Sequence, residues 1–130
     1  MSTQSTGLQQ ATRWSALINA LAAVVLVGIG LVMAFGSPDL RSWHSTAAMA
    51  FMVTSLVTAA LVVVVGRPRK LTGLIMHAVG LLVLAVVQFG LGEMGGLVMV
   101  HIILGLLIGI GAIALYPLAA RRLRPVTEAT

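Results

Sequence analysis

The 130-residue chain is 59% hydrophobic and only 8% charged, carries a formal net charge of +5 and contains no cysteine. A soluble domain of this size cannot hide so much apolar surface from water. The missing thiols remove disulfides, thiolate metal sites and iron–sulfur clusters from consideration. The positive balance raises nucleic acid as a partner, but the basic residues are spread between apolar runs rather than gathered on one patch, and that argues against it.

Residues 1–12 are rich in Gln, Ser and Thr and read as a flexible polar tail. Residues 13–120 form the apolar body, and 121–130 read as a basic C-terminal tail. Within the body four runs, about 15–35, 45–65, 71–91 and 97–118, each approach the ~20 residues that a spanning helix needs. Without water to satisfy the backbone, helices are the form expected of such runs. The expected fold is therefore all-α, an integral membrane four-helix up-down bundle, because short connections make successive helices antiparallel neighbours.

The first run follows Arg13 and Trp14 and carries one amide, Asn19. Its length exceeds that of a signal-peptide core, and the MAFGSPDL segment has no small-residue cleavage pattern, so it is expected to be retained. The second run opens with Arg41, Trp43 and His44, and continues through Ala48, Phe51, Ser55 and Thr58 at helical spacing. A turn at Gly66–Arg67–Pro68–Arg69–Lys70 leads to the third run, where Gly73, His77, Gly80, Leu84 and Gln88 recur at similar steps. The fourth presents His101, Gly105, Gly109, Ala112 and Tyr116, and Pro117 with the arginines after it is expected to end the helix. Small residues at this spacing let helices approach closely in lipid.

Arg13, the Arg67–Lys70 cluster and Arg121, Arg122 and Arg124 fall on one side of the membrane if the chain crosses four times. The positive-inside rule then places both termini in the cytoplasm and the chain in the plasma membrane, with anionic lipid headgroups as natural contacts.

An intramembrane histidine is costly without a partner. Helical rise places His44, His101 and Gln88 in one layer near the outer end, and His77 in the inner leaflet near Asn19 and Thr58. The second and fourth helices are diagonal in a cyclic bundle. Two imidazoles facing each other there suit the axial positions of a b-type haem, with Arg41 available to its propionates and Ala48 and Gly105 leaving room for the ring. His77 reads instead as part of an inner structural cluster with Asn19 and Thr58. Met33, Met94 and Met99 near the same histidines raise Cu(I) as another occupant. A cofactor-free reading uses the same residues: His101 bonded to Gln88 or a backbone carbonyl, His44 at the interface, and the glycines as packing points. The chain would then be a structural or accessory subunit, or a small transporter, although all three acidic residues lie in connections or the tail. Paired carboxylates, a Ser-His-Asp set and a phosphate-binding glycine loop are absent, so hydrolytic and transfer chemistry is not expected.

From Trp43 to Gly109 the sequence resembles one four-helix half of the haem A synthase family. His44 and His101 match histidines at the outer ends of that half's second and fourth helices, Gln88–Phe89–Gly90–Leu91–Gly92 matches a Q-x-x-L-G step, and His101–Gly105 matches H-x-x-x-G. The family follows its second-helix histidine with arginine, where this chain has Ser45. Its catalytic half carries an acidic residue close to that histidine, where this chain has only Asp39 in the loop. The resemblance implies a haem-holding scaffold, completed by a second copy or a larger membrane complex, rather than haem A synthesis.

Overall fold

A computed structural model describes residues 3–124. Four helices run α1 (Thr3–Ala34), α2 (Arg41–Gly66), α3 (Thr72–Met94) and α4 (Val98–Arg122), with a short 3-10 turn at Pro38–Leu40 before α2. All four are long and apolar enough to cross a membrane. Each packs against its neighbours in the order α1–α2–α3–α4 and back to α1, while the diagonal pairs do not meet through their backbones. The two ends of the described chain therefore lie together at one end of the bundle, where Thr6 and Gln9 of α1 share a cavity wall with Tyr116 and Leu123.

The packing is inverted relative to a soluble bundle. Half of the sixteen buried apolar residues are alanines, including Ala16, Ala23, Ala59, Ala78, Ala85 and Ala112. Large side chains such as Val24, Val53, Leu56, Val86 and Ile110 face outward. Lipid tails are as apolar as these side chains, so nothing drives them inward. Close backbone approach through small residues holds helices together instead. Gly109 marks one such approach between α4 and α1, since a Cβ there would stand 2.8 Å from a Val27 methyl.

Three expectations need correction. The polar stretch 1–12 is helical from Thr3 onward, and Gln9 and Thr12 are buried. Glutamines and Ser/Thr here extend α1 to about 48 Å, past a ~30 Å hydrocarbon core, so that it packs against the last turns of α4. Thr12 turns its hydroxyl back to the Leu8 carbonyl at 2.8 Å, which satisfies it without a tertiary partner. Pro117 does not end α4, which runs through it to Arg122. Proline removes one backbone donor, and membrane helices tolerate this where neighbours support them. On α3 the buried face is Leu74, Ala78, Leu81 and Ala85, one position round from the expected Gly73, Gly80 and Leu84. The stripes expected on α2 and α4 do turn inward, with Phe51, Ser55, Thr58, Gly109 and Ala112 buried. The C-terminal segment 125–130 lies outside the described residues.

The turn between α3 and α4 depends on Gly95, whose φ of +67° lets the chain leave α3 in a left-handed conformation. His101 then re-enters on the first turn of α4, its backbone N–H bonded to the Leu97 carbonyl at 2.8 Å.

Gly109→Leu must push α1 and α4 apart, and is expected to cost about 1–3 kcal/mol by overpacking. Gly28→Leu, where a Cβ meets nothing within 4 Å, is expected to stay within about 0.5 kcal/mol of the parent. Reversible unfolding in mixed micelles measures both, and an equal loss for the two variants would contradict the close α1–α4 contact.

Candidate functional site

At the end of the bundle opposite the termini, side chains of all four helices surround a cavity of about 540 Å³. That volume falls within the range of small-molecule sites. Its lower walls are apolar and small, with Ala23, Ala48, Ala85 and Gly109 among them. Phe51 and Ile108 line its buried side, and Arg41 and Glu93 stand at its rim.

His44 and His101 reach into this space from the diagonal helices α2 and α4, with ring centres 6.2 Å apart and planes at 67°. Each imidazole lies against a glycine of a neighbouring helix. A Cβ on Gly30 of α1 would come within 3.0 Å of the His44 ring, and a Cβ on Gly92 of α3 within 3.0 Å of the His101 ring. No larger residue fits behind either ring without moving it.

The two histidines differ in their hydrogen bonding. His101 Nδ1 lies 3.2 Å from the Gln88 carbonyl oxygen, an acceptor only, so Nδ1 carries a proton and, in the neutral imidazole, Nε2 keeps a free lone pair. In return the Gln88 side-chain amide donates to the His101 carbonyl at 2.6 Å. This reciprocal pair ties α3 to α4 across the corner. His44 has no such support: its Nδ1 is buried and without a partner. Gln88 Oε1 is a second buried polar atom left unpaired beside the cavity. A buried polar group with no partner costs about 1–3 kcal/mol, so this layer holds unspent hydrogen-bonding capacity.

The structure thus brings His44, His101, Arg41, Gln88 and Gly105 to one cavity. It changes the part played by Gly105. The space left by its missing Cβ faces the Gln88 amide nitrogen, at 2.8 Å from an added Cβ, so this glycine accommodates the carboxamide. Sequence reasoning missed Gly30 and Gly92. The signal available was depth, since each lies in the terminal turns of its helix at the level of a histidine.

The expected inner cluster of His77, Asn19 and Thr58 is divided among separate bonds. His77 Nε2 donates to the Gly111 carbonyl of α4 at 2.9 Å. Asn19 Oδ1 accepts from Thr54 and Ser55, each at 2.9 Å, and Thr58 pairs with Ser15 at 2.7 Å. Gly111 makes room chiefly for Leu81, since a Cβ there would stand 2.8 Å from a Leu81 methyl. These bonds join α3 to α4 and α1 to α2, while Asn19 Nδ2 is buried without a partner.

Among the described residues no three His, Asp or Glu side chains gather into a metal-binding group, so the protein alone builds no closed tetrahedral site of the zinc kind. What it offers a metal is two imidazoles across a cavity. Of the methionines considered for copper, Met33 lines the cavity together with Met52, while Met94 and Met99 are exposed.

No family model, curated protein or solved structure matches this chain.

Because the acceptor for His101 is the main-chain oxygen of Gln88, Gln88→Leu should leave the imidazole in its Nδ1–H form and remove only the reciprocal amide bond. Nitrogen-15 NMR of selectively labelled His101 is expected to show that tautomer in both proteins, with a loss of about 0.5–1.5 kcal/mol in the variant. An Nε2–H signal in the parent would contradict the assigned pairing.

Proposed function

We propose that this chain is an integral membrane protein holding one b-type haem between His44 and His101, for electron transfer or haem handling, with both termini on the cytoplasmic side of the plasma membrane. The observation that carries this reading is the placement of the two imidazoles. Nitrogens bonded to one metal at about 2 Å each hold their ring centres roughly 6 Å apart, and these stand 6.2 Å apart on opposite walls of one cavity. Rotation about each nitrogen–metal bond leaves the interplanar angle free. Two ligands suffice only where the remaining coordination positions come from elsewhere, as they do in a macrocycle.

The surrounding residues fit that role. His101 donates Nδ1–H to a carbonyl, the usual arrangement of a metal-binding histidine, which fixes the ring and leaves Nε2 to ligate. His44 would ligate through Nε2, because its unpaired Nδ1 lies on the Gly30 side of the ring. Gly30 and Gly92 give both rings the room to lie between helices, which a larger residue would take. Arg41 at the rim supplies a guanidinium for a carboxylate presented at the mouth. The largely apolar lining favours a flat hydrophobic ligand. When bound, the haem would supply a one-electron ferric–ferrous couple, and the chain's contribution is orientation, axial ligation and a dry setting. The orientation rests on the basic clusters at the terminal end and in the α2–α3 turn, set against the single basic residue Arg41 at the other end.

Protein purified from haem-replete cells is expected to show a Soret band of low-spin bis-imidazole type. His44→Ala and His101→Ala should each lose it while remaining monodisperse, and His77→Ala should keep it, because His77 is committed to Gly111. A protein that stays colourless through a haemin titration sinks the proposal. Met33 and Met52 beside the same imidazoles make Cu(I) the occupant to test if it does.

A further inference from the structure

The bundle has a second cavity, about 340 Å³, at the terminal end and separate from the histidine layer. Thr6, Gln9, Gln10 and Arg13 of α1 face Tyr116 and Leu123 across it, with Trp14 and Leu17 on the same helix completing the wall. It exists because α1 begins well before the apolar run and overhangs the end of α4.

Three observations point to its occupant. Arg13 is half-buried in the wall, and both acidic residues among those described, Asp39 and Glu93, lie at the opposite end of the bundle. Gln9 is only 6% exposed, and its Oε1 is buried with no hydrogen-bond partner. That is an acceptor awaiting a donor. Finally, Trp14 and Tyr116 mark the level at which aromatic side chains sit among lipid headgroups. A ligand that suits all three carries an anionic phosphate, a neighbouring hydrogen-bond donor and an apolar body continuing into the bilayer.

We propose that this cavity is a binding site for the headgroup of an anionic phospholipid bearing hydroxyls, the chemistry of phosphatidylglycerol. Arg13 takes the phosphodiester through charge-assisted hydrogen bonds. Gln9 Oε1 accepts from a headgroup hydroxyl. Arg121 and Arg122 in the last turn of α4 add positive potential at the same end and favour a lipid of net negative charge over a zwitterionic one. The site is independent of whatever fills the histidine cavity.

The test measures the melting temperature of the full chain in a neutral detergent, titrated with four additives: phosphatidylglycerol, phosphatidylmethanol (anionic without a headgroup hydroxyl), phosphatidylcholine and inorganic phosphate. Apparent affinities follow from the concentration dependence. Phosphatidylglycerol is expected to raise the melting temperature most and phosphatidylmethanol less, while phosphatidylcholine and free phosphate have little effect. Arg13→Gln should weaken the response to both anionic lipids about tenfold, the equivalent of one charge-assisted bond. Gln9→Met should erase the difference between the two anionic lipids while keeping the response to charge, and this second variant controls for any loss of fold in the first. An equal response to phosphatidylcholine, or an unaltered one in Arg13→Gln, overturns the site. An effect of inorganic phosphate equal to that of the lipid shows a free-anion site and overturns the lipid assignment. Equal responses to the two anionic lipids in the parent overturn the role of Gln9.

Discussion

A polar side chain inside hydrocarbon has no water to fall back on, and this requirement orders the whole bundle. Asn19 gathers the hydroxyls of Thr54 and Ser55, Thr58 pairs with Ser15, and His77 takes the Gly111 carbonyl. His101 and Gln88 satisfy each other's main chains across the α3–α4 corner. Each bond joins two neighbouring helices, so the set works as a series of ties between apolar surfaces that otherwise have little reason to prefer each other over lipid. His44 stands outside the scheme, with a buried nitrogen that no residue answers. Asn19 Nδ2 and Gln88 Oε1 are likewise buried without partners.

The glycines follow from the same requirement. An imidazole or a carboxamide can lie between helices only if the facing helix gives way, and Gly30, Gly92 and Gly105 each give way to one polar group: His44, His101 and Gln88. Gly109 and Gly111 instead admit Val27 and Leu81. A helical motif such as Gly105–x–x–x–Gly109 therefore has no single meaning here. One of its members opens toward α3 and a polar side chain, the other toward α1 and a methyl.

Much of this was legible in the sequence, because run length and antiparallel order fix which ends of which helices share a level. Depth alone puts His44, His101 and Gln88 in one layer, where the structure has them around one cavity. The boundaries were harder. Polar residues 3–12 look like a tail when only hydropathy is counted, yet they continue a helix whose overhang packs on α4. Pro117 looks like a stop, but its cost is one hydrogen bond in a helix supported on both sides. On α3 the spacing of small residues predicts an inward face one position away from the buried one. In lipid a glycine such as Gly73 can face outward at no hydrophobic cost, so smallness alone does not set the direction. His77 was assigned side-chain partners because its true acceptor, a backbone carbonyl, leaves no mark in the sequence.

The two halves of the bundle have been built to different rules. Toward the termini the core holds amides and hydroxyls at hydrogen-bonding distance, and alanines such as Ala16, Ala59 and Ala119 bring the helices into contact around them. Toward the histidines, residues just as small, Ala23, Ala48 and Ala85, line an opening instead. One small residue on each of three helices is not a single missing side chain that a neighbour could fill by changing rotamer. Closing that space would require α2 and α4 to move together along the diagonal, and His44 and His101 meet across that diagonal first. The imidazoles, with ring centres 6.2 Å apart across that diagonal, limit how far α2 and α4 can approach.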